Sequence, residues 1–100
     1  MSFTQLIEVD GVDDPQALHQ LMADWDSKEK GRAPGYLGCR VLGDQERPGH
    51  YLIEVDFSSQ EEAKRNNQRP ETEAWASNLK QVIRGEPTYR DLEQVCTTYP

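Results

Sequence analysis

The apolar residues of this chain recur with two different periods, and the order of those periods is the feature that most constrains the fold. Residues 3–9 alternate as in a strand, and Asp10-Gly11 ends that segment. From Pro15, which suits the first position of a helix, the spacing changes to three or four residues. The apolar residues at this spacing are Leu18, Leu21, Met22 and Trp25. The chain therefore begins with a strand and an amphipathic helix.

The middle of the chain predicts two strands joined by a polar turn. Basic residues and a glycine at 28–31 suit the end of the first helix, and Pro34-Gly35 predicts a loop. Residues 36–42 and 50–57 then have the composition and alternation of strands, and residues 43–49 between them are polar. These two segments predict an antiparallel hairpin.

The last third of the chain predicts an interrupted helix and a final strand. Residues 59–62 have the Ser-x-x-Glu spacing of a capping box, which marks a helix start. Pro70 predicts a kink or short break near Arg69. After the break the residues expected to point inward are Trp75, Leu79, Val82 and Ile83. Gly85 and Pro87 end this helix, and residues 88–97 predict the last strand.

The resulting order, β-α-β-β-α-β, predicts a single α+β domain of the ferredoxin-like kind over residues 1–100. Such a domain has four antiparallel strands in the order 4-1-3-2, with both helices on one face of the sheet. The core of a 100-residue chain with 35% hydrophobic residues is thin. A second copy of the chain is therefore expected to cover the other face.

Strand parity assigns residues to the two faces of the sheet. The odd-numbered residues are expected to meet the helices: Phe3, Ile7, Val9, Leu37, Cys39, Val41, Tyr51, Ile53, Val55 and Phe57. The even face mixes leucines with charged residues, and the charged residues are expected to line up across the sheet as Arg90, Glu8, Glu54 and Arg40. This face is either a partly polar dimer interior or a solvated surface with ion pairs.

Charge and composition exclude several classes of partner. Eighteen acidic and eleven basic residues give a net charge of −7, and the basic residues are scattered, so neither nucleic acid nor an anionic membrane is expected to bind. The N-terminus has no signal-peptide pattern, and no apolar run reaches membrane-spanning length. The protein is therefore expected in the cytoplasm.

Motifs for metals, cofactors and common hydrolases are missing from the sequence. Cys39 and Cys96 lie in different predicted strands, without CxxC spacing or a nearby histidine, and predict two free, buried thiols rather than a metal site or disulfide. There is no GxGxxG, Walker A, GxSxG or HExxH motif. The sequence predicts no bound metal or cofactor.

Over residues 3–98 the chain resembles the dimeric α/β-barrel superfamily, and within it the antibiotic-biosynthesis-monooxygenase-like group. The resemblance rests on the element order, on residues 34–38 before and within the second strand, and on residues 66–75 of the second helical region. It implies a homodimer whose sheets pack face to face, with a cleft between sheet and helices in each subunit. The group includes cofactor-free oxygenases of phenolic or quinol-like compounds and haem-degrading enzymes.

The haem-degrading members of that group use an asparagine on the first strand, a tryptophan early in the second helical region and a histidine beyond it. This chain has Gln5 or Glu8 on the first strand, and Asn66 and Asn67 near the tryptophan position. No histidine follows His50. Haem degradation is therefore not expected.

The cofactor-free oxygenases use asparagine and tryptophan side chains to hold a phenolate, which implies Asn67 first and Asn66 second as catalytic residues. Alternatively, the two asparagines only end the first half of the interrupted helix. The other candidates, for ligand binding, are Trp75, Tyr51, Trp25 and His19.

Each of those four ligand-binding candidates has a structural alternative. Trp75 and Trp25 lie on apolar helical stripes and suit the core, as does Tyr51 on its strand, and His19 borders a stripe. His50, at the edge of the hairpin, is expected to be exposed. Two functions stay open: a cofactor-independent monooxygenase-like enzyme acting on a small aromatic compound, and a non-catalytic ligand-binding or structural dimeric module.

Overall fold

Residues 2–99 are described by the structure, a computed structural model, and within them the chain forms four strands and three helices. The strands are β1 (Phe3–Val9), β2 (Tyr36–Gly43), β3 (Tyr51–Phe57) and β4 (Thr88–Glu93). The helices are α1 (Pro15–Glu29), α2 (Gln60–Asn67) and α3 (Pro70–Gln81). No helix within residues 2–99 is long and apolar enough to cross a membrane.

The four strands form one antiparallel sheet in the order β2-β3-β1-β4. This is the predicted order read from the other edge, and it confirms the α+β ferredoxin-like fold. The helices cover one face, where Ile7, Ile53 and Phe57 of the sheet and Leu18 and Leu79 of the helices are at most 1% exposed.

Side-chain capping and proline define where the helices begin. Asp14 accepts a hydrogen bond from the backbone N–H of Gln16 at 3.0 Å, and the hydroxyl of Ser59 accepts one from Glu62 at 3.2 Å. Arg69 is extended, with φ −84° and ψ 142°, because the residue before Pro70 is disfavoured in the helical conformation. The predicted break near Arg69 is confirmed, and it divides the second helical region into α2 and α3.

The predicted inner face of the sheet is correct except at Leu37. A bulge between Tyr36 and Gly38 shifts the register of β2 against β3. Leu37 is consequently 50% exposed, while Tyr36 is buried against the helices at 6% exposure. Placing Leu37 on the inner face was wrong because a bulge changes the alternation that the prediction assumed.

Two predicted boundaries were also wrong. The last strand ends at Glu93 rather than at residue 97, because Glu93 pairs with Phe3 and β1 offers no strand residue beyond it. Cys96 therefore lies past the strand and is exposed rather than buried, and Cys39 is half-buried. Both thiols are free, as predicted. The second helical region ends at Gln81, although Ile83 just beyond it is buried.

The sheet face away from the helices, the open face, carries rows of mixed polarity. One row consists of Arg90, Leu6, Glu54 and Arg40. Glu8 lies one row further along, so the predicted line through Glu8 was wrong by one position. Both acids nevertheless have basic partners: Arg40 Nε is 2.5 Å from Glu54 Oε1, and Arg90 Nη2 is 2.8 Å from Glu8 Oε1.

His50 is buried, so its predicted exposure was wrong. It is 6% exposed, with Nδ1 2.6 Å from Asp10 Oδ1 and Nε2 3.4 Å from Glu8 Oε2. The β2–β3 turn folds against the end of β1, where Val12 donates a backbone hydrogen bond to Gly49 at 3.2 Å. That contact, which alternation along one strand does not predict, encloses the imidazole.

Candidate functional site

A cavity of about 490 Å³ lies between the inner face of the sheet and the three helices. This volume is within the range of small-molecule binding sites. All three helices and the strands β1, β3 and β4 contribute side chains to it. Its apolar lining consists of Ile7, Met22, Trp25, Val55, Phe57, Trp75 and Ala76. Its polar lining consists of Gln5, Asn66, Asn67, Thr72, Glu73, Tyr89 and Asp91.

Aromatic side chains form much of the cavity wall. The rings of Trp25 and Trp75 meet edge to face, with centroids 6.1 Å apart and an interplanar angle of 61°. Phe57, on the central strand β3, is 1% exposed and lies beneath them. These rigid rings make this part of the wall apolar, and an aromatic ligand can pack against their faces or edges.

The indole N–H of Trp75 has no hydrogen-bond partner within residues 2–99, although it is closed off from solvent. Burying a donor without an acceptor costs about 1–3 kcal/mol. Such a group at a cavity wall is a candidate donor to a ligand, because an acceptor that reaches it would recover that cost.

Asn66 and Asn67, the last two residues of α2, both line the cavity but differ in environment. Asn66 is 3% exposed, and its Oδ1 accepts hydrogen bonds from Arg69 Nη1 and Thr72 Oγ1, each at 3.1 Å. Asn67 is exposed. The two asparagines therefore end a helix, as the structural alternative proposed, and also border a cavity, as the functional interpretation requires.

The rim of the cavity is acidic. Glu73 on α3 and Asp91 on β4 are exposed carboxylates that border it. Tyr89, also on β4, is 44% exposed, and burial of its hydroxyl, with a smaller contribution from the charge of Glu86, raises its pKa. Tyr89 is thus a neutral phenol near pH 7. A rim of this kind repels anions and admits neutral ligands.

His19 and Tyr51 line a different cleft, between α1 and the β2–β3 edge of the sheet. His19 is exposed there, and Tyr51 is half-buried. Met22 separates the cleft from the cavity and borders both. The structure therefore brings Asn66, Asn67 and the two tryptophans together and leaves His19 and Tyr51 apart from them.

The hydroxyl of Tyr36 lies behind the aromatic wall of the cavity. Tyr36 packs edge to face on Trp25, with centroids 6.2 Å apart, and donates a 2.6 Å hydrogen bond to Asp26 Oδ1. Burial, reinforced by that bond, raises the pKa of Tyr36 well above its ordinary value. Burial likewise raises the pKa of the Cys39 thiol. Both groups are neutral near pH 7. Tyr36 packs behind the cavity wall, whereas Cys39 lines the cleft beside α1.

The sequence analysis did not nominate five polar residues of the cavity: Gln5, Thr72, Glu73, Tyr89 and Asp91. Tyr89 pairs with Ile7 and Asp91 with Gln5, so both share the inner face with those β1 residues. Assigning the odd-numbered residues of the last strand to the inner face of the sheet would have identified Tyr89 and Asp91. Thr72 had no such signal, because its role depends on the local turn around Pro70.

No protein-family model matches the sequence, and no curated protein matches it either. Solved structures do match. SnoaB, a cofactor-independent oxygenase from Streptomyces nogalater, superposes in one variant with a TM-score of 0.80 at 13% identity, over 97% of this chain and 96% of that one.

Two further structures show the same architecture. A candidate antibiotic biosynthesis monooxygenase from Caulobacter crescentus gives a TM-score of 0.77 at 16% identity, covering 94% of this chain and 90% of that one. Another, from Deinococcus radiodurans, gives 0.74 at 17% identity, covering 100% and 98%. The chain therefore has the ferredoxin-like fold of the antibiotic-biosynthesis-monooxygenase-like structures, which confirms the predicted fold.

Proposed function

We propose that this protein is a cofactor-independent monooxygenase-like enzyme that acts on a small, neutral, flat aromatic compound with a phenolic or quinol-like hydroxyl. The observation that carries the proposal is the buried amide of Asn66 at the edge of an aromatic cavity. The oxygenase activity of a structural neighbour with the same fold supports it.

The reaction converts an activated methylene group beside a phenolic ring into a carbonyl. The carbon loses two hydrogens and gains one atom of O₂, and the other oxygen atom leaves with those hydrogens as water. The substrate itself supplies all four electrons. The substrate first releases a proton to water at the exposed end of the cavity, and that proton is recovered when water forms as the second product. The protein must therefore favour the electron-rich anion of the substrate, which reacts with O₂.

Neutral hydrogen-bond donors in a water-poor cavity stabilise a developing oxyanion effectively. Asn66 Nδ2 is the donor assigned to the phenolic oxygen, and Trp75 Nε1 is a second donor on the wall. Trp25 and Phe57 hold the ring. Asn67, at the exposed end of the cavity, contributes less.

Oxygen consumption tests this function. A panel of anthrone and hydroxylated anthrones is incubated with the protein in an oxygen electrode, against the uncatalysed rate. The proposal predicts one O₂ consumed per molecule oxidised and a carbonyl product in mass spectra. Asn66→Ala should lower the rate about a hundredfold, as the loss of an oxyanion donor does. If oxygen is consumed no faster with the protein than without it for every compound of the panel, the enzymatic function is contradicted.

The alternative function is a non-catalytic module that binds the same kind of ligand. It is favoured by the separation of His19 from the cavity, which leaves no imidazole base among the described residues lining it. Tight, stoichiometric binding of a panel compound without oxygen uptake would support this alternative.

We also propose that the protein is a homodimer joined through the open face. Leu42 and Leu92 are 39% and 41% exposed on that face. The face also carries three acids, Glu8, Glu54 and Asp56, and two bases, Arg40 and Arg90. Arg40 pairs with Glu54, and Arg90 pairs with Glu8. A surface with leucines and charges of both signs can be complementary to its own two-fold copy.

A further inference from the structure

Glu29, the last residue of α1, carries a carboxylate whose side chain is only 8% exposed. A buried charge requires a partner. Arg69 Nη2 provides it, 2.7 Å from Glu29 Oε1, and the Arg69 side chain is itself 19% exposed. This ion pair joins the end of α1 to the break between α2 and α3.

The same guanidinium also holds Asn66. Arg69 Nη1 donates to Asn66 Oδ1 at 3.1 Å, and Thr72 Oγ1 donates to that atom at the same distance. Arginine only donates, so the atom it contacts must be the amide oxygen. With the oxygen held by two donors, the planar amide has one orientation, and its NH₂ group is free of those contacts.

We infer that Glu29, Arg69 and Thr72 are positioning residues that fix the Asn66 amide so that its Nδ2 donates to a ligand oxygen in the cavity. Glu29 and Arg69 do not line the cavity, so they act only through Asn66. The hydrogen bond from the cationic guanidinium also polarises the amide, which makes its N–H a stronger donor. This inference rests on the proposed function and names the groups that prepare its donor.

Two probes separate positioning from mere structural support. 4-Nitrophenol, kept neutral by a mildly acidic buffer, has a hydroxyl at the proposed contact, and 4-nitroanisole has a methyl ether instead. Affinities for both are measured by fluorescence titration or calorimetry for wild type, Glu29→Gln, Thr72→Val and Asn66→Ala. Thermal melting records the fold of each variant.

A matched control is available on α2. Glu62 pairs with Arg65 at 3.1 Å, but this pair is on the surface, with side chains 29% and 68% exposed. The hydrogen bonds of the Asn66 amide oxygen within residues 2–99 come from Arg69 and Thr72, not from this pair. Glu62→Gln thus makes the same chemical change as Glu29→Gln without altering the amide. If Glu29→Gln fails to fold, Arg69→Lys replaces it, because Arg69 does not line the cavity and lysine cannot hold Glu29 and Asn66 with a planar fork. Thr72→Val keeps the side-chain shape and removes one donor, but Thr72 itself lines the cavity, so its effect supports the inference only together with one of those two variants.

The inference predicts that Glu29→Gln and Thr72→Val weaken 4-nitrophenol binding about three- to tenfold, the effect of roughly one hydrogen bond. Binding of 4-nitroanisole should change less than about twofold, and Glu62→Gln should change neither. If Asn66→Ala loses 4-nitrophenol while Glu29→Gln and Thr72→Val retain it, the positioning role is overturned and the proposed site stands. Unchanged 4-nitrophenol binding in Asn66→Ala would overturn the proposed site together with this inference.

Discussion

At the scale of single residues, two adjacent asparagines have different physical surroundings. Asn66 is buried and accepts two hydrogen bonds, whereas Asn67 is exposed at the end of α2. Removing this buried acceptor leaves Arg69 Nη1 and Thr72 Oγ1 without the atom to which they donate, which costs stability as well as the ligand contact. Asn67 has no such side-chain hydrogen bonds within residues 2–99.

The first prediction compares Asn66→Ala with Asn67→Ala. Asn66→Ala should lower the free energy of unfolding by about 1–3 kcal/mol, because buried donors are left unsatisfied. Asn67→Ala should change it by less than about 0.5 kcal/mol, as exposed substitutions usually do. Urea denaturation measures both. Equal effects of the two substitutions would show that the Asn66 network contributes nothing to folding.

A second residue-scale prediction concerns pH. The raised pKa of Tyr36 means that the folded state keeps this proton after the unfolded chain has released it. Stability from Tyr36 is therefore complete below the unfolded tyrosine pKa of about 10 and falls as pH rises above it. Stability measured across this range should fall less steeply in Tyr36→Phe than in wild type. If stability fell equally steeply with pH in wild type and in Tyr36→Phe, the raised pKa of Tyr36 would be contradicted.

At the scale of elements, the periodicity of apolar residues predicted whether each segment is a strand or a helix. The exact boundaries and the exposure of some residues depend on contacts between segments. The helices and the break at Pro70 could be predicted from the sequence because they depend on residues that are close together in the chain. The exposure of Leu37 depends on a bulge, and the end of β4 depends on where β1 begins. The burial of His50 depends on the contact between the β2–β3 turn and the end of β1, where Glu8 and Asp10 also meet its ring.

A third prediction tests the packing of the loop before β2 against α2. Gly35 has φ +66°, and a Cβ there would lie 2.4 Å from Glu62 Cβ and 2.7 Å from Ser58 Oγ. Gly31 has φ +85° but no atom within 4 Å of such a Cβ. Gly31→Ala should cost about 1–2 kcal/mol from backbone conformation alone. Gly35→Ala should cost about 1–3 kcal/mol more from the clash, as measured by thermal unfolding. Similar losses of stability in Gly31→Ala and Gly35→Ala would mean that the loop before β2 can move away from α2.

At the scale of the whole molecule, the sequence predicted the fold more completely than the site. Element order alone leads to the sheet order and to an uncovered face. The cavity, in contrast, joins residues from three helices and three strands. Asn66, Asn67, Trp25 and Trp75 could be nominated because their side chains suit the chemistry. Thr72 and Asp91 could not, because their relation to the asparagines exists only once the sheet register and the α2–α3 turn are formed.

The fourth prediction concerns assembly. Light scattering should give about twice the mass of one chain. Leu52→Asp, at the centre of the open face beside Leu42, should shift the protein toward monomer, because a desolvated carboxylate would oppose association. Ala23→Asp, an exposed position on α1, is the control and should leave the mass unchanged. A wild-type monomer at micromolar concentration would contradict the homodimer.

The central claim is that a phenolic oxygen binds beside the Asn66 amide, and the side-chain ¹⁵N–¹H resonance of that amide reports it directly. On titration with 4-nitrophenol, the Asn66 Nδ2 signal, assigned by its loss in Asn66→Ala, should shift in a saturable way, together with the indole signals of Trp25 and Trp75. 4-Nitroanisole should move the indole signals and leave the amide nearly unchanged. Shifts confined to His19 and Tyr51, in the cleft beside α1, would contradict the account.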